Sequence, residues 1–596
     1  MKGMKIKFLP VKPADLRCKS APQYPYNEMR VSSELSKPVH GVMAERDLSV
    51  KVSDNHMIAL DIYRPDGEGT FPALLAMSSY TKELQASDSP SLCNEAGDIE
   101  FFVSRGYAHV IADSRGSGHT GGTFELFGDR EITDCAELVE WIASQPWCNG
   151  NVGMIGMSYF AVVQLLTALK NPPHLKCIFV LDPIYDLYRD CCYHGGKMSL
   201  FNFLMTYFWT AGHLIFNRDS IGRRNRLGWK TFMKMGLDFI LQKHKFDDAW
   251  MQERSGYGKQ GSSKVPLYVG SGWEYSVGLH LRGIFDAFRD FQGPKRLFVG
   301  PPQVPFRPYS SWRIESLRWY DFWLKGKDTG IDKDPPVNIW VMGRNRWRSE
   351  QEWPIARTRY QDLYLRPSDK SSTVGCLLPD QAVQEERVLS YLSWPLSPGL
   401  LGVPQLVYRS PVLRQECELT GHIVLTLYAS CTARDTSFFV RFCDEDETGV
   451  FRVLTKGWLK ASHREIDESR SLPYRPFHPH KREQKLEPGR VYEYLIEIWP
   501  ASNLFHIGHR IRIDISCADS LYFDFPYVHF PSPQTGRVRV HSSPEYPSHI
   551  TLPLIDSELV LDNTCTGIMF SDEPSGYFAI RGKNIRCGPG TEFPVD

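Results

Sequence analysis

The sequence lacks the features by which a nucleic-acid or membrane protein is usually recognised. Neither charge is in excess: 69 lysines and arginines stand against 69 aspartates and glutamates in 596 residues. Without a basic field the chain has no general means of holding a phosphate backbone or an anionic lipid surface. Long apolar runs are missing too. None approaches the ~20 residues of a membrane span. The closest, residues 201–216, is broken by Asn202, Thr206, Thr210 and His213 and reads as a buried or pocket-lining helix. The start, Met1-Lys-Gly-Met-Lys-Ile-Lys, leads into Pro10, Lys12, Pro13 and Asp15 rather than an apolar core with a small-residue cleavage site, so secretion is not expected. No fixed-period repeat and no low-complexity segment is visible. The 14 cysteines are scattered, with Cys191 and Cys192 adjacent, and read as reduced core thiols rather than a disulfide frame. A cytosolic protein is the expectation.

What is present is enough apolar chain for several cores. Hydrophobic residues make up 42% and aromatics 13%, and the length suits roughly three to four domains. Between residues 42 and 182, short apolar runs alternate with helical stretches, the pattern of a mostly parallel sheet covered on both faces. Strands are expected at residues 73–77, 108–113, 152–155 and 177–181. A crossover helix over residues 131–144 places Ile132, Cys135, Leu138, Val139 and Ile142 on one face and leaves Glu131, Asp134, Glu137 and Glu140 outside. An aromatic, helix-like region follows, and strands resume at 267–270 and 296–299. Such an insertion reads as a cap over the strand ends where open α/β sheets bind ligands. Beyond about residue 347, short β-branched and aromatic segments separated by Gly, Pro and Asp predict an antiparallel β-sandwich. Arg510-Ile-Arg-Ile-Asp-Ile-Ser alternates cleanly there. The expected boundaries are an extension over 1–41, the sheet domain over 42–184 and 263–346, the cap over 185–262, the sandwich over 347–556 and a tail over 557–596.

The stretch richest in chemistry is Asn149-Gly-Asn-Val-Gly-Met-Ile-Gly-Met-Ser-Tyr-Phe. A strand runs into Gly156-Met-Ser158-Tyr-Phe and then directly into a helix-compatible run. A nucleophile elbow needs that context, since it lifts a serine hydroxyl above the sheet on a strained turn. The G-x-S-x-G spacing is half met, with Phe160 in place of the second glycine.

Here the chain resembles the cocaine esterase-like and X-prolyl dipeptidyl-peptidase-like serine hydrolases, over about residues 42–554. The resemblance rests on Ile62-Tyr-Arg-Pro, Asp113-Ser-Arg-Gly-Ser-Gly, Glu140-Trp-Ile-Ala-Ser-Gln-Pro-Trp-Cys-Asn-Gly-Asn-Val-Gly-Met and Gly156-Met-Ser-Tyr, followed by Asp186-Leu-Tyr-Arg-Asp, Trp340-Val-Met-Gly, Gly508-His-Arg-Ile-Arg and Pro547-Ser-His-Ile. It implies an α/β-hydrolase domain with a doubly wound sheet, an inserted helical cap and a C-terminal jelly-roll-like β-sandwich. It also implies Ser158 as nucleophile, with the backbone N–H of Tyr159 and the hydroxyl of Tyr80 as oxyanion donors.

The other two members of the triad depart from the family pattern. The family acid follows a Gly-Trp pair as Gly-Trp-x-Asp, and here the sequence reads Gly272-Trp273-Glu274-Tyr275. The family histidine follows Gly-Pro, and here the sequence reads Gly300-Pro-Pro-Gln303. A serine hydroxyl needs a base, because losing a triad member typically costs ~10⁴-fold or more. His194, His280 and His119, the last in a glycine-rich loop, are candidate bases, and a displaced pair is expected, His194 or His280 with Asp182 or Glu274. That loop has no Gly-Lys-Ser/Thr ending and does not read as a phosphate site. His478, His480 and Lys481 read as a surface loop rather than a metal cluster, since no further ligand stands at suitable spacing.

Three functions follow. The first is an ester, lactone or amide hydrolase acting through Ser158 on an apolar substrate. The second is the same scaffold turned to cyclisation, condensation or acyl transfer on a small metabolite. The third is a binding pseudo-hydrolase. Substrate contacts are expected from Trp273, Tyr275, Gln303, Tyr193, Phe208 and Trp209, within an aromatic pocket. No cofactor and no metal are expected. The partners expected are a small apolar molecule, with a homodimer left open, and neither nucleic acid nor membrane.

Overall fold

The computed structural model describes residues 35–562, apart from 88–93, 201–232, 235, 240, 260–262, 275–276, 303–311, 369–370, 387, 394–402, 521–522, 525 and 532–533. Among the described residues the first half of the chain builds one ten-stranded sheet. Its strands in chain order are β1 (Val42–Lys51), β2 (Met57–Pro65), β3 (Phe71–Ser78), β4 (Ala108–Asp113), β5 (Cys148–Met154), β6 (Leu175–Leu181), β7 (Leu267–Gly272), β8 (Lys295–Gly300), β9 (Val337–Val341) and β10 (Arg346–Glu350). In space they run β1-β2-β4-β3-β5-β6-β7-β8-β9-β10, with every pair from β4 to β9 parallel.

Parallel neighbours need crossovers, and helices supply them. Helix α1 (Asp129–Ala143) joins β4 to β5, α2 (Tyr159–Leu169) joins β5 to β6, α3 (Leu281–Asp290) joins β7 to β8, and α4 (Arg313–Lys325) joins β8 to β9. Both faces of the sheet are covered, so its strands read as unbroken apolar runs. On β4, Val110 and Ala112 enter the core shared with α1, α2 and α3, while Ile111 enters the core under α4. The sheet continues to Glu350, past the boundary expected at 346, because Trp340 pairs with Trp347 across β9 and β10.

One helix differs from its sequence reading. Within α1, Glu131 and Asp134 are buried rather than facing solvent. Asp134 is held by Arg115 and Arg130 at 2.6–2.8 Å, and Glu131 accepts three hydrogen bonds. Paired and fully bonded carboxylates can be buried where lone ones cannot, so polarity alone misassigned that face.

The described chain from Arg359 to Leu554 forms an eleven-stranded, almost wholly antiparallel sheet. The strand His549–Leu554 pairs both with Arg359–Pro367 and with Cys417–Cys431, folding the sheet back on itself as a β-sandwich. In Arg510–Ser516 the three isoleucines are fully buried as the alternation requires. The polar face is also buried, with Arg512 paired to Glu445 at 2.8 Å and to Asp514 at 2.7 Å. The reading of residues 478–481 is corrected at its two histidines, while Lys481 is exposed as expected. His478 and His480 are buried, not in a surface loop, and His478 is bound by the Glu465 and Leu495 carbonyls. The ten described cysteines are all buried free thiols. Among the described residues no helix is long and apolar enough to cross a membrane.

Candidate active site

Three adjacent parallel strands end in non-glycine residues with left-handed backbone. Ser158 follows β5 with φ +56°, Asp182 follows β6 with φ +50°, and Glu274 follows β7 with φ +57°. Such conformations cost of order 1–3 kcal/mol each and cluster where the surrounding structure enforces a functional geometry. They stand at the carboxyl edge of the sheet, where open α/β folds bind ligands.

The turn at Ser158 is built by its neighbours. Gly156 has φ +128°, and a Cβ there would lie 2.4 Å from the Cβ of Phe160. Glycine at 156 is what lets Phe160 stand in place of a second glycine. The Ser158 N–H donates to the Leu181 carbonyl at 3.0 Å, and its carbonyl accepts the Val162 N–H at 3.1 Å, opening the first turn of α2. Ser158 itself is half-buried. Tyr159 occupies the first helical position, where a backbone N–H has no partner within the helix.

Tyr80 lies next to this turn. Its ring sits 5.5 Å from that of Tyr159 and 6.2 Å from that of Phe160. The loop carrying it is tied by Ser78, whose hydroxyl oxygen accepts the Tyr80 N–H at 3.0 Å. Below, the Tyr159 phenol donates to Glu131 at 2.7 Å, a carboxylate that also takes the Ser114 hydroxyl at 2.6 Å and the Phe127 N–H at 2.8 Å. Burial pushes the Glu131 carboxyl up to about 7 against the pull of those donors. Sequence reasoning missed Glu131 because a glutamate in a helical repeat reads as solvent-facing.

The residues considered as replacement bases and acids separate into two groups. Asp182 is buried, accepts the Ser271 hydroxyl at 2.6 Å and donates its N–H to Gly270 at 2.9 Å. His280, at the start of α3, has Nδ1 3.3 Å from the Pro183 carbonyl. A carbonyl only accepts, so Nδ1 carries the proton there and a neutral His280 keeps Nε2 as its basic nitrogen. Both residues therefore lie along the segment that follows Leu181, the residue hydrogen-bonded to Ser158.

His194 and Glu274 are drawn instead toward the sandwich. Glu274 forms an ion pair with Arg452; burial raises its pKa and Arg452 opposes the rise. His194 is buried between Trp458 and Trp499, with Nδ1 2.7 Å from His529 Nε2 and Nε2 3.1 Å from the Asp190 carbonyl. Burial holds its pKa well below the usual imidazole range, with His529 adding to the effect. His119 lies 3.4 Å from both Asp47 and Glu83. Those three could in principle ligate a metal, but the Lys82 ammonium already sits among the carboxylates, 2.7 Å from Asp47, 2.8 Å from Glu83 and 2.9 Å from Asp61.

Of the expected substrate contacts, Trp273 is 1% exposed and spends its indole N–H on the Trp340 carbonyl at 2.7 Å, which makes it a core residue. Tyr193 is also buried, stacked 5.0 Å from Tyr188. Tyr275, Gln303, Phe208 and Trp209 lie outside the described residues.

Comparison with known proteins gives concordant matches. The profile of the X-Pro dipeptidyl-peptidase (S15 family) matches residues 54–303, and that of the X-Pro dipeptidyl-peptidase C-terminal non-catalytic domain matches residues 329–551. The cocaine esterase of Rhodococcus sp. (strain MB1 Bresler) is 28% identical over 591 residues, covering 85% of this chain and 98% of its own. A CocE/NonD family hydrolase from Staphylococcus aureus superposes with a TM-score of 0.73 at 24% identity, over 86% of this chain and 94% of its own. An alpha-amino acid ester hydrolase superposes with a TM-score of 0.68 at 19% identity, over 90% and 100% of the two chains.

Proposed function

Since the chain belongs to the cocaine esterase-like and X-prolyl dipeptidyl-peptidase-like serine hydrolases, we propose that it hydrolyses an apolar ester, lactone or amide through Ser158. The observation that carries this reading is the strained turn between β5 and α2, with Ser158 at φ +56° and half-exposed above the sheet. Attack by the Ser158 hydroxyl on a carbonyl would develop an oxyanion. The Tyr80 hydroxyl and the Tyr159 N–H are its donors. An acyl-enzyme then forms and is resolved by water.

The base in this reading is His280. Its Nε2 takes the Ser158 proton and returns it to the leaving group. The Pro183 carbonyl on Nδ1 fixes the tautomer and accepts from the imidazolium that forms. A carbonyl stabilises an imidazolium less than a directly bonded carboxylate does, so a slower enzyme than a full triad is expected. His194 and Glu274 face the sandwich, where His529 and Arg452 hold them.

A second reading, non-hydrolytic chemistry on a small metabolite, draws support from the segment after β8, which holds no histidine between Gly300 and Trp312. Turnover of 4-nitrophenyl esters of increasing acyl length separates the two. Hydrolysis is expected from the wild type, falling to background in Ser158→Ala and by roughly 10²–10⁴-fold in His280→Gln. A wild type that turns over no ester would favour the second reading, and His280→Gln with full activity would remove the proposed base.

A further inference from the structure

Beneath Ser158 lies a buried polar contact that the proposed chemistry does not use. The Tyr159 side chain reaches α1, and its ring packs 4.5 Å from that of Phe127. Its hydroxyl ends on Glu131, which is 2% exposed. Three donors from three segments meet on this one carboxylate: the Ser114 hydroxyl after β4, the Phe127 N–H from the following loop and the Tyr159 phenol from α2. A carboxylate that takes three donors is charge-assisted at each bond and holds them in one arrangement. The Tyr80 ring rests against the Tyr159 ring, with centroids 5.5 Å apart.

We propose that Glu131 is a positioning residue of the oxyanion hole: by fixing the Tyr159 phenol it fixes the ring against which Tyr80 packs and the first turn of α2 beside Ser158. The inference rests on the reading of Ser158 as nucleophile and of Tyr80 and the Tyr159 N–H as oxyanion donors. Glu131 touches no substrate and acts only through Tyr159. Loss of the contact leaves the phenol held by Ser79 without its carboxylate partner and loosens the ring beside Tyr80, and small misplacements of donors cost rate steeply.

The carboxyl is also in a condition to report its own role. Burial places its titration near 7, opposed by Ser114, Tyr159 and Phe127 and assisted by the charge of Asp134. The titratable groups facing it are the Tyr159 phenol on α2, with Asp134 and the buried Cys135 thiol on its own helix; Asp134 is compensated by Arg115 and Arg130. Once protonated, Glu131 loses the charge that assists all three bonds, and a hydroxyl partner must reverse or turn away. The effect of Glu131 on rate is therefore present above about 7 and fades as pH falls through it.

The test is a double-mutant cycle on the rate of Ser158 labelling by a fluorophosphonate, with intact-mass detection on the full chain. Glu131→Gln and Tyr159→Phe are each expected to slow labelling by roughly tenfold, and the double variant to be little slower than either single one. The wild-type to Glu131→Gln ratio is expected to fall toward one below pH 7. Ser114→Ala, which removes a donor but leaves the Tyr159 bond, is expected to label nearly as the wild type; a merely structural carboxylate would suffer equally from its loss. If Glu131→Gln does not fold, Tyr159→Phe with an unchanged rate overturns the inference by itself. Multiplicative losses in the double variant, or a pH-independent ratio, overturn it as well. A wild type that is never labelled would instead sink the serine reading, and this inference with it.

Discussion

At the scale of single residues, the site is a set of hydroxyls and ring nitrogens whose environments assign their roles. Tyr80 is tied at its backbone to Ser78 and leans on the rings of Tyr159 and Phe160, so its hydroxyl is presented on a rigid stem. Tyr80→Phe keeps that packing and deletes only the proposed donor. It is expected to lower kcat by roughly 10²–10³-fold with little change in KM, measured on the same 4-nitrophenyl esters. An equal rise in KM would mean that Tyr80 binds ground state and transition state alike. The strained turn at Ser158 could be read from its motif because an elbow constrains neighbours in sequence. The proposed base could not, because the group that orients His280 is the backbone carbonyl of Pro183, a partner that no side-chain pattern reveals. Glu131 was hidden for the complementary reason: its donors arrive from segments far apart in the chain and turn an exposed-looking helical glutamate into a buried one.

At the scale of elements, the sheet was readable wherever burial on both faces left an apolar run. Ala108–Asp113 and Arg510–Ser516 fall where the sequence put them. Ends were less readable, since β5 begins at Cys148 within a turn-like Cys-Asn-Gly-Asn. The segment expected to form a cap offers an element-scale test. Its root forms a two-residue-stranded hairpin, Tyr193–His194 against Lys197–Met198, whose turn is Gly195 and Gly196 at φ +52° and +82°. The Gly195 carbonyl accepts the Lys460 N–H at 2.8 Å, and a Cβ on Gly195 would stand 2.0 Å from the Trp458 carbonyl oxygen. Only glycine permits that approach together with that backbone. Gly195→Ala is expected to pry the hairpin from the sandwich and to cost on the order of 2 kcal/mol or more in urea unfolding. An unchanged midpoint would mean that the hairpin is not fastened there.

At the scale of the whole molecule, the two domains are joined by a buried ionic network that no local pattern could announce. Arg282 and Asp286 on α3 meet Arg475 and Glu497 from the second half of the chain. Arg475 reaches Asp286 at 2.6 Å and Glu497 at 2.8 Å, and Arg282 reaches Glu497 at 3.1 Å. Burial alone would raise both carboxyls, but Arg282 and Arg475 outweigh it, pulling Glu497 down to about 2 and Asp286 lower still. A depressed carboxyl contributes stability above its unfolded pKa and loses it as pH falls through its folded one. The contribution of Glu497 is therefore complete above about 4.5 and lost between there and about 2, on the order of 3 kcal/mol. Calorimetry is expected to show one cooperative transition at neutral pH, with its midpoint dropping below pH 4.5. Glu497→Gln, which leaves two buried guanidinium groups underpaired, is expected to be destabilised already at pH 7. A midpoint independent of pH from 6 to 3 would show the network to be inert.

The central claim is that a family hydrolase scaffold keeps Ser158 as a working nucleophile although the usual positions for its base and acid hold other residues. Peptide mapping of the full chain after treatment with a fluorophosphonate tests this most directly. The account predicts one phosphonylated residue, Ser158, and no adduct in Ser158→Ala. An unmodified wild type, or an adduct on any other residue that persists in Ser158→Ala, would contradict it.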